Sequence, residues 1–487
     1  AQRDLGTITG TVTDPQGGAV PNAKVTITED ATGLSYELTT GNSGEYTRPA
    51  LKPGIYTVTA EAPGFRRVAQ QNVTINGGDR VGVPLTLAVG DVTQAIEVSA
   101  QAPLLNTETT TLGNTLESKS ISQLPLGGQR IFTYLARLSP GVVPAEPGAR
   151  DAVGGGFSAN GVRSNGQNNF LLNGVDNNVN VIDFLNQTAY VIGPSVEAIG
   201  EEVVLTNGYN AEYGRGAGGV LNAILKSGTN DFHGVVWEIL QNDKLNANRW
   251  ELNKAGSKAD GTPVSPRGPF RQNQFGGALG GPIIKNRTFF FADYQGTRIA
   301  STGGSIQNLG NGGTYTIPTQ AMVHGDFSSM LGGQIGTDAL GRPILQNQIY
   351  DPATTRTVNG QLVRDPFPGN IIPSNRFDPA AAKILALYPA PNQPVHAGSY
   401  PQNDFVIATP GQQATDQGDI RVDHKLSDKD SLFGSLSWSN LNKNNTPPLP
   451  GALDFSGFNA NTEEDLGRNA QLSYTRVWTP ALISETR

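Results

Sequence analysis

The chain of 487 residues has no cysteine, only 16% charged residues and no run of lysine and arginine. Without cysteine there is no disulfide scaffold, no thiolate metal site and no cysteine nucleophile. A formal net charge of −7 argues against nucleic acid as a partner, because neutralising phosphates takes a basic footprint. Long apolar runs are missing too: no stretch approaches the ~18–20 residues of a membrane-spanning helix. That leaves a transmembrane barrel open, since its strands need only ~9–11 residues of alternating character. No charged-then-apolar leader opens the sequence, and AQRDLGT is compatible with a mature terminus left by cleavage.

Glycine (60) and proline (32) are abundant, a profile suited to short strands punctuated by turns. Residues 6–88 carry alternating segments: TITGTVTD (7–14), AKVTITED (23–30), IYTVTAEA (55–62) and VTINGGDRVGVPLTL (73–87). About seven strands at this spacing predict a small β-sandwich. The succession GTVTD, GAVPNAKVTI and GEYTRPALKPGIYTVTAEAPGF resembles the carboxypeptidase regulatory-like family. That resemblance implies an Ig-like, non-catalytic accessory module.

VTQAIEVSAQAPLLNTET (92–109) follows. Ile96, Val98 and Ala100 alternate with Glu97 and Ser99, so the segment can add as an edge strand to a partner sheet; an interdomain linker has the same composition. In position and pattern it resembles a TonB box, which implies capture by a TonB-type energy-transducing periplasmic protein.

Between 117 and 230 the character changes. Ser120 is a candidate helix cap, and Ile131, Leu135 and Leu138 have the spacing of a short helix. Residues 208–230, GYNAEYGRGAGGVLNAILKSGTN, contain Gly214, Gly216 and Gly219 in the G-x-G-x-x-G pattern. A dinucleotide site needs a buried strand before it, a long helix after it and an acidic residue about 20 positions on. Here a polar NGYNAEYGR precedes and the short VLNAIL follows. The glycines are therefore expected in tight turns and close backbone approaches. Leu124–Val142, then Gly161–Val175, then Val196–Asn230 resemble in order the plug domain of TonB-dependent outer-membrane receptors. The resemblance implies an arginine-bearing strand at Arg163, an LNGV hairpin at Asn173 and Gly174, and a glycine motif with Tyr213, Gly214, Gly216, Gly219 and Asn222.

From Phe232 onward strands of membrane-crossing length are predicted, at 232–242, 270–281, 286–296, 418–428, 430–440, 469–478 and the start of a seventh at 482–487. In 418–428, Ile420, Val422 and Leu426 share one face with His424, and Asp419, Arg421, Asp423 and Lys425 share the other. An ordinary half-buried sheet has the same period of two. Connection lengths separate the two readings: 243–269 is long, 281–286 short, 297–418 very long, 427–430 short, 441–468 long and 479–482 short. That alternation is expected of an outer-membrane barrel with short periplasmic turns and long external loops. Within the longest loop Asp378 is the expected N-cap and Pro379 the first residue of a helix stopped by Pro389. Its phrase RFDPAAAKILALYPAPNQ resembles the Oar-like subgroup of TonB-dependent receptors.

The sequence therefore predicts a mainly β protein: an Ig-like sandwich (1–90), a linker with a TonB-box-like strand (91–103), an α+β plug (104–230), and the first strands of a transmembrane antiparallel barrel (231–487). Six or seven strands cannot enclose such a plug, so either the barrel continues in a longer chain, which is the favoured expectation, or another chain completes the sheet. The resemblance implies TonB-dependent uptake of an unidentified small solute across the outer membrane, with the N-terminal domains in the periplasm and the barrel in outer-membrane lipid. A surface adhesion or assembly protein is the alternative. Catalytic motifs are absent, and the four histidines lack metal-ligand spacing. Asp176, Asn177, Asn178, Asn180 and Asp183 offer oxygen ligands without EF-hand spacing, so turn formation is the expected role. No metal, cofactor or nucleic acid is expected. Arg421 and Lys425 are expected to pair with the plug rather than touch solute.

Overall fold

A computed structural model describes residues 5–90, 95–99, 112–124, 126, 130–145, 156–163, 167–179, 189–209, 211, 213–248, 250–254, 256, 261, 268–302, 309, 312–395, 400–449, 453 and 462–487. The first strands are β1 (Gly6–Thr13), β2 (Lys24–Glu29), β3 (Ser35–Thr39), β4 (Glu45–Leu51), β5 (Gly54–Glu61), β6 (Arg67–Ile75), β7 (Arg80–Gly82), β8 (Leu85–Thr86) and β9 (Ala95–Ser99). One sheet runs β4-β1-β7, with β8 also on β1, and the other runs β3-β2-β5-β6-β9. Alternate residues such as Ile8, Val12, Val25, Ile27, Tyr56 and Val58 meet between the sheets, the pattern that period two produces. The buried Tyr46 hydroxyl donates to the Val83 carbonyl at 2.6 Å. Eight strands thus stand where about seven were expected. A ninth, from the segment read as linker or partner strand, pairs in parallel with β6, Ile96 opposite Val68 and Val98 opposite Gln70. Ala100 lies outside the described residues.

The central unit comprises β10 (Leu112–Glu117), α1 (Ser118–Gln123), a 3₁₀ helix (Phe132–Leu138), β11 (Val142–Pro144), β12 (Phe157–Ala159), β13 (Asn169–Leu172), β14 (Val175–Asp176), β15 (Ile199–Asn207) and β16 (Val220–Leu225). Its main sheet runs β10-β15-β16-β13-β14, with β13 and β16 parallel. Phe132, Leu135, Phe157, Phe170, Val204 and Leu221 share its core. Two local expectations are corrected. Ser120 lies inside α1 rather than capping it, because the extended residue before the helix is Glu117, whose side chain makes no cap bond. The Ile131–Leu138 stretch winds as a 3₁₀ helix that leaves Leu138 exposed.

Seven strands then form one antiparallel sheet: β17 (His233–Asn242), β18 (Phe270–Ile284), β19 (Thr288–Thr302), β26 (Pro410–Lys425), β27 (Asp430–Asn445), β28 (Thr462–Thr479) and β29 (Leu482–Thr486), in sequence order. Each stretch read as a strand forms one, and β18, β19, β26, β27 and β28 run 15–18 residues, longer than the alternation suggested. Their polarity is the reverse of a soluble sheet. Leu436 (56% exposed) and Leu472 (65%) point outward with Ile420, Val422 and Trp478, while Asp419, Arg421, Asp423, Ser437 and Thr475 are buried inward. Glycines let outward aromatic rings lie flat across neighbouring strands. A Cβ at Gly418 would stand 2.4 Å from the Trp438 ring, and one at Gly296 2.5 Å from Phe275.

The loop between β19 and β26 holds β20 (Gly312–Tyr315), β21 (Gln334–Thr337), β22 (Pro343–Leu345), β23 (Tyr350–Val358), β24 (Gln361–Pro366) and β25 (Phe405–Ala408), paired β20-β25, β21-β22 and β23-β24. α2 (Trp250–Lys254) lies in the preceding loop, and α3 (Gln320–Val323) and α4 (Pro379–Leu385) in this one. Asp378 caps α4, accepting from the amides of Ala380 and Ala381. Asp365 joins the hairpins, accepting from Arg342 at 2.6 Å and from Arg356 at 2.8 Å. Hydrogen bonds from Arg356 and Arg342 hold its carboxyl well below the usual carboxylate range. The unfolded loop binds more protons than the folded one in acid, so this link strengthens the loop above the unfolded pKa of ~3.9 and fades as pH falls towards the folded value. Hydrogen exchange across residues 350–366, corrected for intrinsic rates, should be flat from pH 8 to 5. Asp365→Asn should speed it over that whole range; an unchanged rate would exclude the link.

Candidate functional site at the junction of the three sheets

The LNGV sequence makes a two-residue hairpin turn, Leu172 opposite Val175, with Asn173 at φ 49° and Gly174 at φ 73°. Asn-Gly is the pair that adopts two successive positive φ values most readily. Asn173 is fully buried. Its amide oxygen accepts from the Leu225 amide at 2.9 Å and from Arg421 at 3.3 Å, and its amide nitrogen donates to Gln471 at 3.3 Å. Gln471 donates in turn to the Leu172 carbonyl at 2.9 Å. Asn222 closes the turn from β16 by accepting from the Gly174 amide at 3.0 Å. One hairpin tip is thereby stapled to its own sheet and to the inner face of β26 and β28.

Arg421 and Asp423 stand two residues apart on β26, hence on one face. The guanidinium donates to both Asp423 oxygens, at 2.9 and 3.1 Å, and to the Leu225 carbonyl at 3.0 Å. Its Cζ lies 4.6 Å from the Phe433 ring centroid. Asp423 also receives Lys52 of the sandwich at 2.6 Å and the Ser227 hydroxyl at 2.7 Å. A carboxylate with four donor contacts tolerates a dry site that would otherwise expel it. Further along the same inner face Ser195 donates to Asp293 at 2.8 Å and Gln417 to the Gly193 carbonyl at 2.8 Å.

The sandwich completes the junction. Arg48 donates to the Asp428 carbonyl at 3.1 Å and Lys425 to the Ser35 carbonyl at 2.9 Å. Both cations flank the Tyr36 ring, at 4.1 and 4.7 Å from its centroid. The Gly77 amide donates to Glu201 at 3.0 Å, and Asn230 reaches the Thr32 carbonyl. Between the three bodies lies a cavity of ≈ 380 Å³ lined by Glu29, Lys52, Lys119, Glu201, Lys226 and Arg421 among others.

Of the residues singled out from sequence, Asn173, Gly174 and Asn222 meet here. Gly216 and Gly219 lie in the loop before β16, over Gln167 and Asn168. A Cβ on Gly216 would stand 1.9 Å from the Gln167 carbonyl, and the Gly219 amide donates to Asn168 at 3.0 Å. Gly214 has open space around it, so it makes no close approach. Tyr213 stands edge-on to Tyr209. Arg163 is exposed and sits after the β12 turn, not on a strand, because the strand of this hairpin starts only at Asn169. Ile96, Glu97, Val98 and Ser99 lie on β9, away from the hairpin in the sandwich sheet. Arg421 reaches the central unit, whereas Lys425 reaches the sandwich instead. Asn177 spends its side chain on the backbone of Ile192, and Asn178 on the backbone of Phe170 and the side chains of Asn169 and Asp176; Asn180 and Asp183 lie outside the described residues. Among the described residues no group of three metal-ligating side chains forms. Sequence reasoning missed Lys52, Ser195, Ser227, Asp293 and Gln471. A charged or amide residue on the inward face of a long strand was the signal available for the last two.

The family of outer membrane beta barrel domains matches residues 224–487, more than half of the chain. The chain belongs to the outer-membrane β-barrel family. The carboxypeptidase regulatory-like domain family matches residues 7–88. The TonB-dependent transporter Oar of Myxococcus xanthus is 29% identical over 301 residues, covering 59% of this chain and 26% of that protein. The chain therefore spans about a quarter of that relative's length. Among solved structures, a mutant ferric enterobactin receptor of Pseudomonas aeruginosa aligns over 76% of this chain and 39% of its own, at 10% identity and a TM-score of 0.39. The outer membrane transporter YddB of Escherichia coli aligns over 75% and 44%, at 13% identity and 0.35.

Two outcomes follow for this outer-membrane β-barrel chain. Asn173→Ala removes three side-chain bonds and leaves the Leu225 amide without its partner. At ~1–3 kcal/mol for such an orphaned group, Leu225 exchange in the folded protein should rise about tenfold or more; an unchanged rate would rule out the staple. Glu202 on β15 is fully buried with both carboxyl oxygens unpartnered, and burial pushes its pKa well above the ordinary value. The unfolded chain releases this proton near pH 4.3 while the folded one retains it. Its contribution is therefore complete below that pH and shrinks as pH rises towards the folded value. Glu202→Gln should flatten the pH dependence of β15 and β16 exchange above pH 5; the same slope in both proteins would exclude this assignment.

Proposed function

We propose that this chain acts in TonB-dependent uptake of a scarce small solute across the outer membrane. In this reading residues 1–90 form a periplasmic accessory sandwich and residues 91–103 the segment contacted by a TonB-type energy-transducing protein. Residues 104–230 are the plug, and 231–487 supply barrel wall and external loops that bind the solute. The observation that carries the reading is the reversed sheet. Leu436, Leu472, Ile420, Val422 and Trp478 face outward, Asp419, Arg421 and Asp423 face inward, and the hairpin at Asn173 is hydrogen-bonded to that inward face.

Dimensions support the same reading. On the outer surface Tyr294, Gly418, Trp438 and Arg468 share one row. Trp478 on β28 stands ten residues further along the strand. Ten residues are about 33 Å at ~3.3 Å each and about 23 Å once tilted by ~45°, close to the ~25 Å aromatic-flanked apolar band of such barrels. Inside, the hydrogen bonds between plug and wall can exchange partners with water, while Phe291 of β19 and Ala278 of β18 add apolar contact with the plug core. No residue of the junction has the arrangement of a nucleophile with its base, and the relative in Myxococcus xanthus is named a transporter.

The decisive test addresses Val98. In the full-length protein, a photo-crosslinking residue at this position should form an adduct with the inner-membrane energy transducer in living cells. Val98→Pro should abolish energised uptake while the protein still assembles in the outer membrane. No adduct, together with unimpaired uptake in the proline variant, would overturn the reading.

A further inference from the structure

β9 is not a free tail awaiting a partner. Its backbone runs parallel to β6 over five residues, Arg67 opposite Ala95 through Gln71 opposite Ser99, as the last strand of the β3-β2-β5-β6-β9 sheet. The sandwich that grips it is itself bolted elsewhere. Lys52 is paired to Asp423 on the inner face of β26. Arg48 and Lys425 clasp Tyr36 across the same contact, and Gly77 and Thr32 are hydrogen-bonded to the central unit and the segment after it. Lys52 is about three-quarters buried and Asp423 almost wholly so, hence this pair is shielded from the solvent that weakens exposed ion pairs.

We propose that the N-terminal sandwich is a mechanical brake on the segment that links it to the central unit. A load applied to β9 is borne first by the β6–β9 pairing and, through the sandwich, by the Lys52–Asp423 bolt. Only after β9 peels from β6, or the sandwich leaves the wall, does tension reach β10 and the hairpin at Asn173. Along the chain, residues 91–94 join β9 to the sandwich and residues 100–111 join it to β10. Peeling leaves a vacant edge on β6 whose N–H and C=O groups accept a strand again, so the brake resets when the load ends. The inference builds on the proposed uptake function, but its test needs neither the solute nor the energy transducer.

The experiment uses the full-length protein in outer-membrane vesicles. In one variant residues 92–100 are replaced by a Gly/Ser segment of equal length, and the probe is the synthetic peptide VTQAIEVSA. The replacement should speed amide exchange in residues 67–71 at least tenfold, and adding the peptide should restore protection at one peptide per chain. The wild type, with its edge occupied, should bind the peptide at least tenfold more weakly. Single-molecule pulling on a handle at position 98 should give one extra rupture before the central unit yields. That event should be lost in the Gly/Ser variant and should come at lower force in Lys52→Glu. Unchanged exchange at 67–71, equal peptide binding by both proteins, or identical rupture traces would each overturn the brake. Failure of Val98 to crosslink to an energy transducer, with the rupture intact, would instead count against the uptake reading alone.

Discussion

A charge on the inside of a sheet whose outside is apolar must be answered from within. That constraint organises this molecule. Arg421 and Asp423 neutralise each other along β26, but a carboxylate and a guanidinium hold more lone pairs and protons than one pair of bonds can use. The remainder go to Asn173, Leu225, Ser227 and Lys52. Those partners come from three separate segments, so satisfying one buried ion pair brings three bodies to a single place.

The polar nature of this junction sets how its parts separate. Apolar surfaces separate only by exposing area to water, whereas hydrogen-bonded side chains can trade partners with water at small net cost. Within the central unit the opposite holds: Phe132, Phe157, Phe170 and Leu221 form a dry core. That core also takes in Phe291 of β19, so the wall meets the unit through apolar contact as well as through the polar junction.

Glycine does different work in the seven-stranded sheet and in the central unit. On the seven-stranded sheet it clears room for rings, with Trp438 across Gly418 and Phe275 across Gly296. In the central unit Gly174 supplies a positive φ at the hairpin and Gly216 lets two backbones touch. Of the nucleotide-like Gly214, Gly216 and Gly219, only the last two meet close neighbours, and the segment after them is a six-residue buried strand rather than a helix.

Much was determined by local sequence alone. Period-two alternation specifies the sandwich strands and the long strands, Asn173-Gly174 specifies its turn, and Asp378-Pro379 specifies the start of α4. Each depends on residues that are neighbours in the chain. The direction in which a face points is not local: Ile420 and Arg421 alternate identically whether the apolar face meets a core or a membrane, and alternation of short and long connections was the only hint. What tertiary structure alone decided is partnership. Lys52 reaching Asp423, Ser195 reaching Asp293 and β9 lying against β6 join residues tens to hundreds of positions apart, and side-chain chemistry names a donor or an acceptor without naming its mate. β9 illustrates this most clearly, because an edge-forming segment pairs with whichever open edge the fold brings alongside it, and here that edge is β6.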